Sequence, residues 1–193
     1  MIKATAMELH WNFFLALERD VDVLSRYVEF DRRNYHCFSI EIARILVSAS
    51  GEVDVVAKQI CHAANRHSTA HDMVDYRREL IRVYPRIPDV RVKVPRFGLE
   101  LKPWEQWKRH NGVPLWWTAY NRIKRERNAQ YHGATLKHAL NAVAGLFVMV
   151  LHLYRDKAQA GDLLPSPQLF RPDDAHYSGT RHNGLEVGIS YRL

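Results

Sequence analysis

The sequence is poor in cysteine and lacks the common short catalytic motifs. Its two cysteines, Cys37 and Cys61, are too few for the disulfide framework of a small secreted domain. It contains no Gly-x-Ser-x-Gly elbow, no glycine-rich phosphate loop ending in Lys-Ser/Thr and no Gly-x-Gly-x-x-Gly fingerprint. Serine-hydrolase, P-loop and dinucleotide chemistry therefore find no support.

Long apolar runs, repeats and low-complexity tracts are also missing. The longest apolar run, residues 142–151, is about half the length of a membrane-spanning helix. Glu18, Arg19 and Asp20 follow the N-terminal apolar residues, so no signal-peptide pattern is present. A length of 193 residues predicts a single domain. The missing membrane-spanning and signal-peptide patterns predict a cytoplasmic protein with no membrane partner.

Positive charge is concentrated in one part of the chain. The formal net charge is +7, and residues 85–160 alone carry 14 Lys and Arg against 5 Asp and Glu. The segments on either side carry 11 against 12 and 3 against 4. Such a field attracts polyanions such as RNA, although a solvated basic face that only aids solubility has the same composition.

Hydrophobic periodicity predicts a mainly α fold. Apolar residues recur every three or four positions from Met7 to Val28, and again after a Ser39 cap to about Asn65. Thr69 and Asp72 have capping-box spacing before a third helix that Pro85 ends. Pro103 and Pro114 each open a short helix, and the last helix runs from about Gly133 to Asp156.

Two segments break the helical pattern. Short alternating runs at about 86–102 predict a β-hairpin inserted between helices. Residues 161–193 predict an extended C-terminal tail whose final LEVGISYRL run forms one strand, pairing with that hairpin. We therefore expect a single helical domain over residues 1–160, followed by the tail.

The segment KRERNAQYHGATL at 124–136 carries the residues best suited to chemistry on a phosphodiester. Arg127 can hold a phosphate with two parallel hydrogen bonds, and His132 can gain or lose a proton near neutral pH. On a helix these two would point about 140° apart and flank a groove, whereas Asn128 and His132 would share a face. Many helices show this spacing without any functional reason.

The Arg-Asn-x-x-x-His run at 127–132, at the start of the last long helix, resembles the HEPN family. The preceding WWTAYNRIKRER resembles the Trp-x-x-Tyr-Asn-x-x-Lys stretch of HEPN-like bacterial proteins, and SASGEVDVVAKQIC at 48–61 resembles their acidic partner helix. The resemblance covers residues 7–156 without the hairpin. It implies a HEPN-like antiparallel helical bundle that forms a homodimer, with two motifs facing a shared cleft.

The resemblance also implies an activity. Active HEPN proteins are endoribonucleases that need no metal or other cofactor, use the RNA 2′-hydroxyl as nucleophile, and often serve as toxins or antiphage effectors. Arg127 and His132 would then be catalytic, Asn128 would position the phosphate, and an antitoxin-like protein is an expected partner. Other family members are inactive dimeric modules that bind RNA or a partner protein, which is the alternative.

Residues around the motif complete the predicted site. Arg122, Lys124 and Arg125 would hold the RNA backbone, or form an ordinary basic turn. Glu52 and Asp54 would form ion pairs with Arg127 from the second helix, or lie on a charged helix surface. Asn121 would hydrogen-bond across the cleft, or cap a short helix.

Two further clusters have alternative interpretations. The aromatic cluster consists of Trp104, Trp107, Trp116, Trp117 and Tyr120. It would stack on unpaired bases or, as favoured here, pack in the core beneath the hairpin. His67 and His71 have metal-ligand spacing, but the Thr69 cap expected between them argues against a metal site.

Overall fold

A computed structural model describes residues 7–183 and 186–193, and these form a mainly helical protein with small antiparallel sheets. The α-helices are α1 (Leu9–Leu24), α2 (Ile40–Ala64), α3 (Met73–Val83), α4 (Leu115–Arg125), α5 (Arg127–Gln130), α6 (Leu136–Leu153) and α7 (Arg155–Ala160). The strands are β1 (Val92–Val94), β2 (Leu99–Leu101), β3 (Arg171–Pro172), β4 (Tyr177–Asn183) and β5 (Glu186–Tyr191). The predicted fold class is confirmed at this level.

The core is built around α2 and α6, which pack along each other and against α1 and α4. The predicted start of α2 is confirmed, because the Ser39 hydroxyl accepts a hydrogen bond from the Ile42 N–H at 3.2 Å. Phe14 of α1 stacks on Phe147 of α6, with ring centroids 5.0 Å apart. These helices bury their apolar stripes against one another, which is the main source of stability in such folds.

Helix α6 is apolar on nearly every face. Among the described residues, α6 is the one helix that is long and apolar enough to cross a membrane. Of its 18-residue apolar segment, 78% is buried inside the protein. The helix therefore has the burial of a core helix, as its position between α1, α2 and α4 requires.

The start of α3 differs from the prediction. Asp72 is the N-cap, and its carboxylate accepts hydrogen bonds from the N–H groups of Val74 and Asp75. Thr69 lies outside the helix, so the capping box with Thr69 at its start is wrong. A carboxylate next to the first turn also interacts favourably with the helix dipole, which favours Asp72 over Thr69.

The predicted hairpin is confirmed, but its third strand is not the one expected. Strands β1 and β2 pair antiparallel, with Val92 opposite Leu101, and β3 of the tail pairs with the other edge of β1. The final strand pairs instead with β4 in a separate two-stranded sheet. Leu185, the first residue of the predicted final strand, lies outside the described residues.

The C-terminal region packs into the molecule and is not an extended tail. The Glu18 carboxylate, only 3% exposed, accepts hydrogen bonds from the N–H groups of Gln168, Leu169 and Phe170 at 2.8–3.0 Å. Phe170 and Tyr191 are buried in the same core as the helices. Short apolar pieces separated by prolines left no periodic signal, so the sequence pattern could not predict this docking.

Candidate functional site

The motif segment lies between two helices and not on the last long one. Helix α4 ends at Arg125, α5 forms one turn from Arg127 to Gln130, and a 3-10 turn covers Tyr131–Gly133. Helix α6 then begins at Leu136, where the Thr135 hydroxyl accepts from the His138 N–H at 3.4 Å. The predicted helix start at Gly133 is therefore wrong, and the helical angle between Arg127 and His132 does not apply.

Arg127 and Asn128 line an open groove of about 760 Å³ beside the first half of α2. The other lining residues are mostly apolar and come from α2, α4 and the 3-10 turn: Ile40, Ala43, Arg44, Val47, Ser48, Ile123 and Tyr131. Both Arg127 and Asn128 are exposed. Ile40, at the open edge of this groove, is 75% exposed.

His132 is exposed but is not among the residues that line this groove. Asn128 lies in α5 and His132 in the following 3-10 turn, so they do not share the helix face that the spacing predicted. Within residues 7–183 and 186–193, neither Arg127 nor His132 forms an ion pair or a side-chain hydrogen bond. Their polar atoms are accordingly available to a ligand.

Two of the three predicted backbone-binding residues lie on a neighbouring surface. Asn121, Arg122 and Arg125 line a shallow polar pocket of about 460 Å³ together with Thr118, Glu126 and Gln130. Lys124 lies apart from them, with its ammonium 5.6 Å from the centroid of the Tyr120 ring. The structure thus brings together Arg122 and Arg125, two of the three residues predicted to hold the RNA backbone, and places Asn121 beside them.

Glu52 and Asp54 have other partners than Arg127. Glu52 Oε1 lies 2.5 Å from His10 Nδ1, and Asp54 Oδ1 accepts a hydrogen bond from the Tyr76 hydroxyl at 3.0 Å. The expected ion pairs with Arg127 are therefore wrong. Both acids instead tie α2 to its neighbours, Glu52 to α1 and Asp54 to α3.

The tryptophan cluster is part of the core, as favoured above. Trp104, Trp107 and Trp116 are at most 2% exposed. Trp116 Nε1 donates to the Pro103 carbonyl at 2.9 Å, and Trp104 Nε1 donates to the Gly145 carbonyl at 3.3 Å. These buried rings anchor the hairpin insertion to α4 and α6.

The ligand atoms of His71, Asp72 and Asp75 lie within 4.8 Å of one another. Other contacts explain this proximity, because Asp72 caps α3 and Asp75 pairs with Arg78 at 2.5 Å. His71 is exposed beside them. An exposed acidic cluster of this kind is common on helix starts without any metal.

The loop between α1 and α2 also packs against the motif segment. The Leu136 and Lys137 N–H groups donate to the carbonyls of Cys37 and Tyr35, at 2.9 and 3.2 Å. His138 Nδ1 lies 2.9 Å from the Gly133 carbonyl oxygen. Sequence reasoning missed Tyr35 and His138 as site residues. The contact between Tyr35 and Lys137 joins segments about 100 residues apart, and the contact between His138 and Gly133 depends on the local turn, so neither leaves a periodic signal.

Comparison with protein-family models, with curated proteins and with solved structures finds no match to this chain. The resemblance to HEPN proteins therefore rests on the residues at 48–61 and 116–132 alone.

Proposed function

We propose that the protein is a HEPN-type endoribonuclease, with a HEPN-like helical bundle, that acts without a metal and as a homodimer. The observation that carries the proposal is an exposed arginine at the edge of an open groove, with no carboxylate partner in the part of the chain that the structure describes. Arg127 is this residue, and it lies in the most basic part of the chain. A guanidinium in such a position keeps its full capacity for a phosphate.

The reaction needs charge stabilisation and two proton transfers. The RNA 2′-oxygen forms a bond to phosphorus as the bond from phosphorus to the 5′-oxygen breaks. A base takes the proton of the 2′-hydroxyl and an acid gives one to the leaving 5′-oxygen, which leaves a 2′,3′-cyclic phosphate. Arg127 stabilises the phosphoryl oxygens, Asn128 positions them, and His132 transfers protons.

A second copy of the chain completes the site in this proposal. His132 does not line the groove of Arg127 within one chain. The proposal therefore needs a symmetric contact between two chains that brings their motif segments together. The exposed apolar residues Phe38 and Ile40, 51% and 75% exposed, lie beside the groove and support such a contact. Two copies would supply two histidines, one as base and one as acid.

The test is RNA cleavage in EDTA by the wild type and by His132→Ala and Arg127→Ala. We expect the wild type to leave 2′,3′-cyclic phosphate ends, and each variant to lose at least about 100-fold in rate, as expected for a proton-transfer or charge-stabilising group. Both residues are exposed, so both variants should stay folded by circular dichroism.

Matched controls come from the loop after α2. Arg66→Ala and His67→Ala remove the same side-chain types from exposed positions outside the motif, so they should cut at the wild-type rate. Wild-type cleavage by His132→Ala would contradict the proposal. In a bacterial host, growth arrest by the wild type but not by His132→Ala would support a toxin or antiphage role.

One observation favours a second candidate function. The absence of His132 from the residues lining the Arg127 groove fits a non-catalytic dimeric module that binds RNA or a partner protein, for example an antitoxin-like protein. Salt-sensitive RNA binding by the wild type, without cleavage under any condition that keeps it folded, would favour this module.

A further inference from the structure

A small pocket lies where the hairpin insertion meets the starts of α4 and α6. It encloses about 200 Å³, less than the roughly 300–1,000 Å³ of pockets for whole drug-sized ligands. Its lining residues come from four segments: Tyr35, Glu100, Leu101, Lys102, Glu105, Gln106, Leu115, Trp116, Lys137, His138 and Asn141. A pocket of this size suits one ring system better than a whole metabolite.

The pocket has aromatic and aliphatic walls. Tyr35 is half-buried there, and Leu101 and Trp116 are buried beside it. Walls of this kind suit a flat, partly apolar ring, because unpaired bases are held in proteins by stacking on aromatic side chains. Leu101 belongs to β2, so the hairpin insertion supplies part of the pocket.

The polar groups of the pocket include two hydrogen-bond acceptors. His138 Nδ1 donates to the Gly133 carbonyl in the tautomer that this contact selects, which leaves Nε2 as an acceptor. Burial, together with the charge of Lys137, lowers the pKa of His138, so the ring is neutral at pH 7. Asn141 Nδ2 donates to the Lys137 carbonyl at 2.9 Å, which leaves its Oδ1 as the second acceptor.

The pocket is attached directly to the motif segment. Gly133, whose carbonyl oxygen lies 2.9 Å from the His138 ring, immediately follows His132. Consecutive Cα atoms are about 3.8 Å apart, so the pocket wall and the proposed proton-transfer residue are close neighbours. In the proposed ribonuclease, a base next to the phosphate that His132 acts on would therefore lie close to this pocket.

We propose that this pocket binds one unpaired nucleobase that carries an exocyclic amino group, and so selects the RNA sequence next to the cleaved bond. The two acceptors match an amino group, which uracil lacks. The sequence selection rests on the proposed ribonuclease function, whereas binding of a base does not.

Binding is tested without any cleavage, by NMR of the isotopically labelled full chain with millimolar AMP or UMP. AMP should shift the Asn141 side-chain amide and the His138 ring signals more than UMP does. Asn141→Ala should weaken AMP binding about tenfold, as expected for losing one hydrogen bond. Asn12→Ala, at an exposed position of α1, is the matched control and should bind AMP as the wild type does.

A cleavage experiment separates the two proposals. Oligouridylate strands with one central A, C, G, U or abasic position should be cut faster with A, C or G, and Asn141→Ala should abolish that preference. Binding of AMP at these residues without any RNA cleavage would support the pocket and contradict the ribonuclease. Cleavage with no base preference, and no AMP-dependent shift at Asn141 or His138, would overturn the pocket and leave the ribonuclease standing.

Discussion

Arg127, Asn128 and His132 share exposure to solvent but not a common surface. Arg127 and Asn128 in α5 line a groove, whereas His132 in the following 3-10 turn is not among the residues that line it. Single-residue chemistry could be assigned from residue types, because a guanidinium and an imidazole have the same capacities in any fold. Their mutual geometry depends on the break between α5 and the 3-10 turn, which the local sequence does not specify.

His152 is a residue whose chemistry is set entirely by its surroundings. It is 5% exposed, its Nδ1 lies 2.8 Å from the Val148 carbonyl oxygen, and its ring meets the Tyr84 ring edge-on at 4.9 Å. Burial, with smaller contributions from the charges of Arg155 and His176, lowers the pKa of His152 to about 4. The folded protein therefore holds this ring neutral.

This burial predicts an acid-sensitive fold. Between pH 6.5 and 4 the unfolded chain binds a proton at His152 that the folded chain does not, so the free energy of unfolding falls as the pH falls. We expect His152 to account for a loss of up to about 3 kcal/mol across this range. Urea unfolding at a series of pH values measures it.

His152→Gln is the informative variant, because glutamine keeps a hydrogen-bond donor and does not titrate. Its free energy of unfolding should fall less than that of the wild type between pH 6.5 and 4. Parallel pH profiles for the two proteins would show that His152 is protonated in the folded state and would contradict the prediction.

At the scale of elements, two helix-interior glycines have opposite surroundings. A Cβ built on Gly145 of α6 would lie 3.0 Å from Trp116 Cζ2, whereas one built on Gly51 of α2 would have no atom within 4 Å. The Trp116 ring is buried and held by its hydrogen bond to Pro103, so it has little freedom to move. Gly145 is thus where α4 and the hairpin region approach α6 closely.

The two glycines should therefore respond differently to alanine. Gly51→Ala should raise the free energy of unfolding by about 0.5–1 kcal/mol, because alanine favours the helix and meets no neighbour. Gly145→Ala should lower the free energy of unfolding by about 1 kcal/mol, because the added methyl group crowds Trp116 and this cost exceeds the gain in helix propensity. Equilibrium urea unfolding compares them, and a stabilising Gly145→Ala would show that the indole yields.

Elements with a clear hydrophobic periodicity were predictable from the sequence, whereas the short turns were not. The bounds of α2 follow from its apolar stripe and the Ser39 cap, and the β1–β2 hairpin follows from its alternation. The one-turn α5 and the 3-10 turn have no such periodicity, so the sequence does not predict the break between them. Short turns depend on contacts such as those of Tyr35 and Cys37 with the start of α6.

At the scale of the whole molecule, the proposed dimer is the feature on which the proposed activity depends most. The groove of Arg127 has an apolar wall from α2, and Ile40 at its edge is 75% exposed. An apolar residue in this position gains by burial in an interface, at about 25 cal/mol per Å² of apolar surface. Disrupting this contact should remove both the dimer and the cleavage.

Ile40→Glu tests that dependence. Ile40 is the first residue of α2, where a carboxylate is favourable for the helix, so the variant should remain folded. We expect sedimentation velocity to show a dimer for the wild type and a monomer for Ile40→Glu, with RNA cleavage lost in parallel. Val83→Glu, at a 48% exposed apolar position of α3, should remain dimeric and active. A dimeric, active Ile40→Glu would place the interface elsewhere.

The sequence by itself determined the helical class, the hairpin, the buried tryptophans and the candidate residues Arg127, Asn128 and His132. These depend on local periodicity, turn chemistry and side-chain type, which act over a few residues. Only the tertiary structure decided that Glu18 docks the C-terminal region, that Glu52 and Asp54 bind partners other than Arg127, and that Tyr35 and His138 line one pocket. These contacts join residues far apart in the chain. Burying a polar group costs free energy unless it has a hydrogen-bond partner, and here only the tertiary fold supplies that partner.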